Sequence, residues 1–401
     1  MKNTKLVIVL FLLAIFVNTG LSIISPLMGI IRNNLGASLI SMALIFGLFP
    51  ITRGILSPLC GKLTDKFSMK YLLITGFVIY IIMSFMYIIA DNVGSLTLVR
   101  IIQGASAALI LPVLFTFAGI LSEENGTSTP TNLIMTAVTL GTAFGPLIGG
   151  VVYDFSGYNS VFIAMVIIEL IGLLLVMFFV PAHRSSEKKL ERPDEKNMSF
   201  KEKLKYHSAI ITLLYTFITV FMMTIPLSFL SIYITDRKLN ISTSDLGTIL
   251  FIMVFIAGIL TIPMSKLSDY HFKKKKFQNL YLLIIGGIVE TVPFFFFPSV
   301  ETFTGILTLS VFIGIGAGMM TPTVGTLAIF ISKSGGSGFW WGIIALTTSL
   351  GYFLGSIVSC SLALILSGNN VFYACGIIGL ILISFGIYET SQRLKGRILR
   401  N

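Results

Sequence analysis

The chain has 401 residues, 55% of them hydrophobic and only 11% charged, with a formal net charge of +11. Soluble domains carry about 25% charged residues, so this chain cannot coat itself against water, which excludes a soluble enzyme, a secreted disulfide scaffold and a disordered chain. The three cysteines, Cys60, Cys360 and Cys375, lie in apolar runs and form no disulfide framework. The positive residues occupy short gaps between apolar runs, a pattern of membrane topology rather than nucleic-acid binding.

A membrane-crossing helix needs about 20 apolar residues. Twelve such runs follow one another, at 6–31, 40–60, 70–90, 96–121, 132–152, 160–180, 209–234, 246–264, 279–298, 303–331, 340–366 and 370–388. The first is too long for a signal-peptide core and lacks a small-residue cleavage site. A polar stretch separates six spans from six. The expected domains are an N-terminal bundle at 1–182, a linker at 183–208 and a C-terminal bundle with a short tail at 209–401. With the N-terminus inside, the inner segments hold 23 Lys and Arg and the outer loops 3. That asymmetry places both termini and the linker in the cytoplasm. The Ile-, Asn- and Lys-rich composition points to a bacterial plasma membrane.

The halves repeat. Gly54 to Asp65 aligns with Gly258 to Asp269, both leaving the second span of their half through Lys-Leu-(Thr/Ser)-Asp. Gly104 to Pro112 aligns with Gly314 to Pro322 in the fourth spans. Two parallel six-helix repeats are a mark of secondary transporters that bind substrate near the bilayer midplane. The fold class expected is therefore all-α integral membrane, twelve transmembrane helices in two pseudo-symmetric six-helix bundles.

Three motifs stand in the N-terminal half. Gly61-Lys62-Leu63-Thr64-Asp65-Lys66-Phe67-Ser68-Met69-Lys70 links spans two and three. Arg100-x-x-Gln103-Gly104 stands in span four, and Gly141-x-x-x-Gly145-Pro146-x-x-Gly149-Gly150 in span five. Together they resemble the major facilitator superfamily, and within it the twelve-span drug–proton antiporter branch, whose patterns are G-x-L-a-D-r-x-G-r-k, R-x-x-q-G and g-x-x-x-G-P-x-x-G-G. Ser68 and Met69 depart from the first pattern. The resemblance implies a cytoplasmic gate built on Gly61, Asp65, Lys66 and Lys70, with a degenerate second copy ending at Asp269. It implies for Arg100 a role in proton coupling or substrate contact, and it associates the span-five motif with export. Glycines four apart also allow close helix packing by themselves, and Pro146 bends its helix.

Ionisable residues well inside spans are Arg53, Arg100, Glu169 and Glu290, and such residues are functional candidates by default. Arg53 is expected either to line a cavity or to pair with Glu169. Arg100 lies about one turn from its span's start, where it could also snorkel to the surface. Span one carries no acid and offers Asn18, Ser22 and Ser25 on one face. The candidates for substrate or proton coupling are therefore Asn18, Arg53, Arg100, Gln103, Glu169 and Glu290, with Glu290 expected to carry the proton. Thr212, Thr216 and Thr219 share a face of span seven, and threonines of this kind often bond only the preceding turn.

No Walker sequence, H-E-x-x-H or Cys/His cluster is present, so neither ATP, a metal nor a cofactor is expected to take part, and the chain is not expected to be an enzyme. The function expected is proton-coupled export of small molecules, amphipathic drugs in the first reading. In the second reading the cargo is one endogenous anionic metabolite, such as a carboxylate metallophore, recognised through the two arginines. The expected partners are the small-molecule substrate, protons and the lipid bilayer, with the protein acting as a monomer.

Overall fold

The computed structural model describes residues 4–64, 66–125, 129–182, 207–274, 280–332, 337–366 and 368–398. Within these it leaves out the side chains of 123–125, 207–209, 265, 266, 268–274, 280, 323, 325–332, 337–342, 390 and 392–398. The described elements are helical throughout. They run α1 (Thr4–Ser22), α2 (Met28–Leu35), α3 (Leu39–Leu63), α4 (Met69–Ile89), α5 (Val93–Asn125), α6 (Thr129–Ser156) and α7 (Tyr158–Phe179). These are followed by α8 (His207–Asp236), α9 (Thr243–Lys274), α10 (Leu280–Thr291), α11 (Phe303–Ser332), α12 (Ser337–Ile365) and α13 (Gly368–Ile398).

Twelve spans among them are long and apolar enough to cross a membrane, with α1 and α2 counted as one. All twelve expected runs are recovered. Two of the spans are broken, and proline explains both, since it supplies no backbone N–H. Pro26 lies in the 3-10 turn Ser25–Leu27 between α1 and α2. Pro293 and Pro298 convert the end of the ninth span into the 3-10 turns Val292–Phe295 and Phe297–Ser299. Helix α7 presents Ile163, Ile167, Leu170, Ile171, Leu174 and Phe178 outward, a lipid-facing stripe at helical spacing.

The chain forms two compact units. The first is Met1–Lys189 together with Leu227–Val254, and the second is Leu190–Pro226 together with Phe255–Asn401. Helices α8 and α9 each contribute one part to each unit.

Within each unit the same packing recurs with residues 210 apart. Tyr87 stacks on Phe162 at 4.7 Å in the first, and Phe297 on Phe372 at 4.7 Å in the second. A Cβ on Gly76 would meet Ile110 and the Ser106 carbonyl, and a Cβ on Gly286 would meet Met320 and the Gly316 carbonyl. The bulk is exchanged at one contact, where the second partner lies 211 residues on rather than 210. Phe77 fills the space over Gly172 in the first unit, whereas Gly287 faces Ile383 in the second.

Candidate functional site

Arg100 is fully buried, so it does not snorkel to the surface. Its Nη1 and Nη2 donate to the carbonyls of Gly20 and Leu21 at 3.3 and 3.1 Å, and its Nε to Ile45 at 2.9 Å. The last turn of a helix leaves carbonyls without intrahelical partners, and α1 ends at Ser22. The guanidinium caps that break and ties α5 to α1 and α3. It also lies 4.8 Å from the centroid of the Phe49 ring, a cation–π contact.

From Arg100 a polar chain runs into the interior. Nη1 reaches Tyr87 Oη and Gln103 Oε1, each at 3.2 Å, and Tyr87 donates to Gln103 Oε1 at 2.8 Å. Gln103 Nε2 points to Ser84 Oγ at 3.5 Å, which stands 2.7 Å from Glu169 Oε2. Glu169 is wholly buried, and its Oε1 has no partner among the described residues. Ser84 and Tyr87 are contributors that the sequence reading missed. Their spacing along α4 is the signal that would have found them, one polar-tipped stripe in an apolar helix.

The alternative of an Arg53–Glu169 pair is not realised. Arg53 Nη1 donates instead to Asn18 Oδ1 at 3.2 Å, while Asn18 Nδ2 bonds the Ala14 carbonyl at 2.9 Å. Arg53 is 9% exposed and its guanidinium lies 5.9 Å from the Phe49 centroid.

The second unit holds Glu290 near the end of α10, wholly buried, with neither carboxylate oxygen partnered among the described residues. Helix α11 crosses it closely, since a Cβ on Gly316 would strike the Glu290 backbone nitrogen. Thr291 Oγ1, beside Glu290, is likewise without a partner among them. The threonine stripe of α8 follows the bland expectation: Thr216 and Thr219 donate to the carbonyls of Thr212 and Tyr215 in the preceding turn.

The glycine motif of α6 divides into two tasks. A Cβ on Gly141, Gly145 or Gly149 would strike the carbonyl of Ile15, Thr19 or Ile23. These three lay α6 along α1, with Ser22 Oγ donating to the Thr142 carbonyl at 2.9 Å. Gly351 and Gly355 of α12 do the same against Phe217 and Phe221 of α8, so this task is common to both halves. Pro146 and Gly150 face α9 instead. A Cβ on Gly150 would meet the Thr243 carbonyl, and one on Gly247 would meet the Pro146 carbonyl. Asp154 accepts from the Ser244 amide at 2.6 Å beside that crossing. A second crossing joins α2 to α8, where Gly29 N donates to Ser231 Oγ at 2.9 Å and Arg32 pairs with Asp236 at 2.6 Å.

Of the expected gate, Asp65 lies outside the described residues, as does the Asp269 side chain. Lys70 Nζ donates to the Met177 carbonyl at 2.7 Å, in the last turn of α7, where a cation is favoured. Lys66 is exposed. Gly61 has room, its nearest neighbour being Pro112 at 3.9 Å from an added Cβ. Ser68 sits at φ −62°, so serine takes the family's glycine position without strain.

The family model described as Major Facilitator Superfamily matches residues 10–339 and 236–398. An uncharacterised MFS-type transporter of Methanocaldococcus jannaschii is 24% identical over 92% of this chain and 94% of its own. Multidrug resistance protein 1 of Bacillus subtilis is 24% identical over 89% of each chain. Quinolone resistance protein NorA of Staphylococcus aureus is 22% identical over 89% of this chain and 90% of its own. Among solved structures, a bacterial homolog to the human lysosomal transporter Spinster, inward-facing and unoccupied, superposes with a TM-score of 0.79 at 15% identity over 98% of each chain. The nucleoside transporter NupG gives 0.73 at 15% identity, over 97% of this chain and 99% of its own. Both likenesses concern the fold.

Proposed function

We propose, for a chain that belongs to the major facilitator superfamily, that it is a proton-coupled exporter of small amphipathic molecules working by rocker-switch alternating access. Members of this family are transporters of small molecules, not enzymes. The observation that carries the export reading is the second task of the α6 motif. Pro146 and Gly150 form a close crossing with Gly247 of α9, at the helix ends that the lysine and arginine distribution assigns to the outside. Backbone contact this close gives the outer ends of a carrier a seam that can shut. The names of two relatives, for multidrug and quinolone resistance, support a drug-like cargo. The protein acts as a monomer in a bacterial plasma membrane with both termini cytoplasmic.

Glu290 is proposed to carry the transported proton. It is buried without a donor or a counter-ion among the described residues, so a change of charge there has a large energetic consequence. The second reading, an anionic metabolite, is favoured by Arg53, a cation inside a span whose guanidinium bonds the neutral Asn18 rather than the Glu169 carboxylate. Arg100 gives it little support, because backbone carbonyls already occupy that guanidinium.

The test is uptake into inside-out vesicles under an imposed proton gradient, with a lipophilic cationic dye in one arm and a multi-carboxylate chelator in the other. Uphill dye accumulation is expected, and Glu290→Gln is expected to reduce it to equilibration. Movement of the chelator alone, abolished by Arg53→Ala, would replace the drug reading with the anion one. Uphill transport retained by Glu290→Gln would remove the proton from Glu290.

A further inference from the structure

Ser84 Oγ has three neighbours within hydrogen-bond reach: Glu169 Oε2 at 2.7 Å, the Tyr80 carbonyl at 2.9 Å and Gln103 Nε2 at 3.5 Å. A carbonyl only accepts, an amide nitrogen only donates, and a serine hydroxyl has one proton. With Glu169 ionised, that single proton must choose between the carboxylate and the Tyr80 carbonyl. With Glu169 protonated, both contacts are made at once: Glu169 donates to Ser84, and Ser84 donates to Tyr80. The orientation of Gln103 is fixed from its other end. Its Oε1 receives Tyr87 Oη and Arg100 Nη1, which turns Nε2 toward Ser84. The polarity of the chain is thus set by Arg100, and Arg100 holds the broken end of α1 through Gly20 and Leu21.

We propose that Glu169 is a proton-binding switch whose protonation state, relayed through Ser84 and Gln103, sets how firmly Arg100 clamps the break between α1 and α2. When the proton leaves, the Ser84 hydroxyl turns to the carboxylate. The lone pairs of Ser84 then draw the Gln103 amide closer than 3.5 Å. Gln103 Oε1 is pulled off Tyr87 and Arg100, and the carbonyls of α1 lose part of their cap. The titratable groups that feel charge on Glu169 are Tyr80 and Tyr87 from α4, while Arg100 of α5 reaches it only through Gln103 and Ser84 and Arg53 of α3 bonds Asn18. Helices α1 and α6 bring none to it among the described residues. The switch is separate from the transported proton assigned to Glu290 and requires no particular cargo.

It can be tested without transport, on the full chain in lipid nanodiscs. Infrared spectra are expected to show the carbonyl stretch of a protonated acid that Glu169→Gln lacks, and this band is expected to give way to carboxylate as pH rises. Hydrogen exchange of the amides of Ile23, Ile24, Ser25 and Leu27 is then compared between wild type and Glu169→Gln at each pH, which cancels the intrinsic pH dependence of exchange. The two are expected to match at low pH, and the wild type to exchange about tenfold faster at high pH, the effect of weakening about one hydrogen bond. Ser84→Ala, with the relay cut, is expected to keep a constant ratio to Glu169→Gln and serves as the reference should that variant fail to fold. A wild-type ratio that stays flat across pH overturns the proposal, as does a Glu169 band that is absent or does not respond to pH. Neither result bears on whether the protein exports anything, so failure here and failure of the export reading are distinguishable.

Discussion

Replacing Arg100 by lysine keeps the charge and removes the fork. In the native side chain Nε, Nη1 and Nη2 serve three carbonyls on two helices, those of Ile45, Gly20 and Leu21. An ammonium at the end of a flexible stem can hold one of those three carbonyls but cannot span both helices in the planar geometry of a guanidinium. Two backbone bonds are therefore lost. Polar contacts inside membrane proteins contribute about 0.6 kcal/mol on average and up to about 1.7, so the expected destabilisation of Arg100→Lys is about 1–3 kcal/mol. Arg100→Ala removes the third bond and the contact with Phe49, which adds about 0.5–2 kcal/mol for the cation–π term alone. Thermal unfolding of the detergent-solubilised protein, followed by the loss of its monodisperse peak, measures both. The order expected is wild type, lysine, alanine. If Arg100→Lys is as stable as wild type yet dead in transport, the guanidinium is a contact for cargo or proton, and the reasoning from the helix break fails.

Two further outcomes follow from the same geometry. Gly247→Ala places a methyl against the Pro146 carbonyl, whereas Gly61→Ala meets only open space out to 3.9 Å. The first is expected to slow transport at least tenfold and the second to leave vesicle uptake near wild type, although Gly61 belongs to the expected gate. Lys70→Met uncovers the Met177 carbonyl and is expected to lower stability by about 0.3–1 kcal/mol. Lys70→Arg is expected to restore that loss in the same thermal assay, because the cation at the end of α7 returns.

The twelve spans were legible because apolar length is a property of the sequence itself, and none of the expected runs is missing from the structure. The breaks at Pro26, Pro293 and Pro298 were not read from the sequence, since other prolines of the chain sit inside unbroken helices, and neither was what they would demand. A broken helix asks for donors, and which side chain supplies them depends on the azimuth at which neighbouring helices present themselves. That is why the sequence left Arg100 open between a functional role and the surface and did not reveal its bonds to the carbonyls of α1 and α3. The same ignorance of azimuth made Arg53 and Glu169 plausible partners, although one bonds Asn18 and the other Ser84. The Gly-Pro-x-x-Gly-Gly stretch was recognised from its pattern. Its division between α1 and α9 could not be, because Gly149 and Gly150 are adjacent in sequence and face different helices.

The exchanged bulk at Phe77 and Ile383 bears on how such a chain can change over time. A tandem duplication starts with identical parts, and each half then settles its own fit between side chain and hollow. Once Phe77 had its seat over Gly172, and Ile383 its seat over Gly287, neither helix could be copied across to repair the other. A transplant from one half to the other would bring two large side chains to one seat or two hollows to another. Ancestry remains readable in the spacing of residues, while the parts have ceased to be interchangeable.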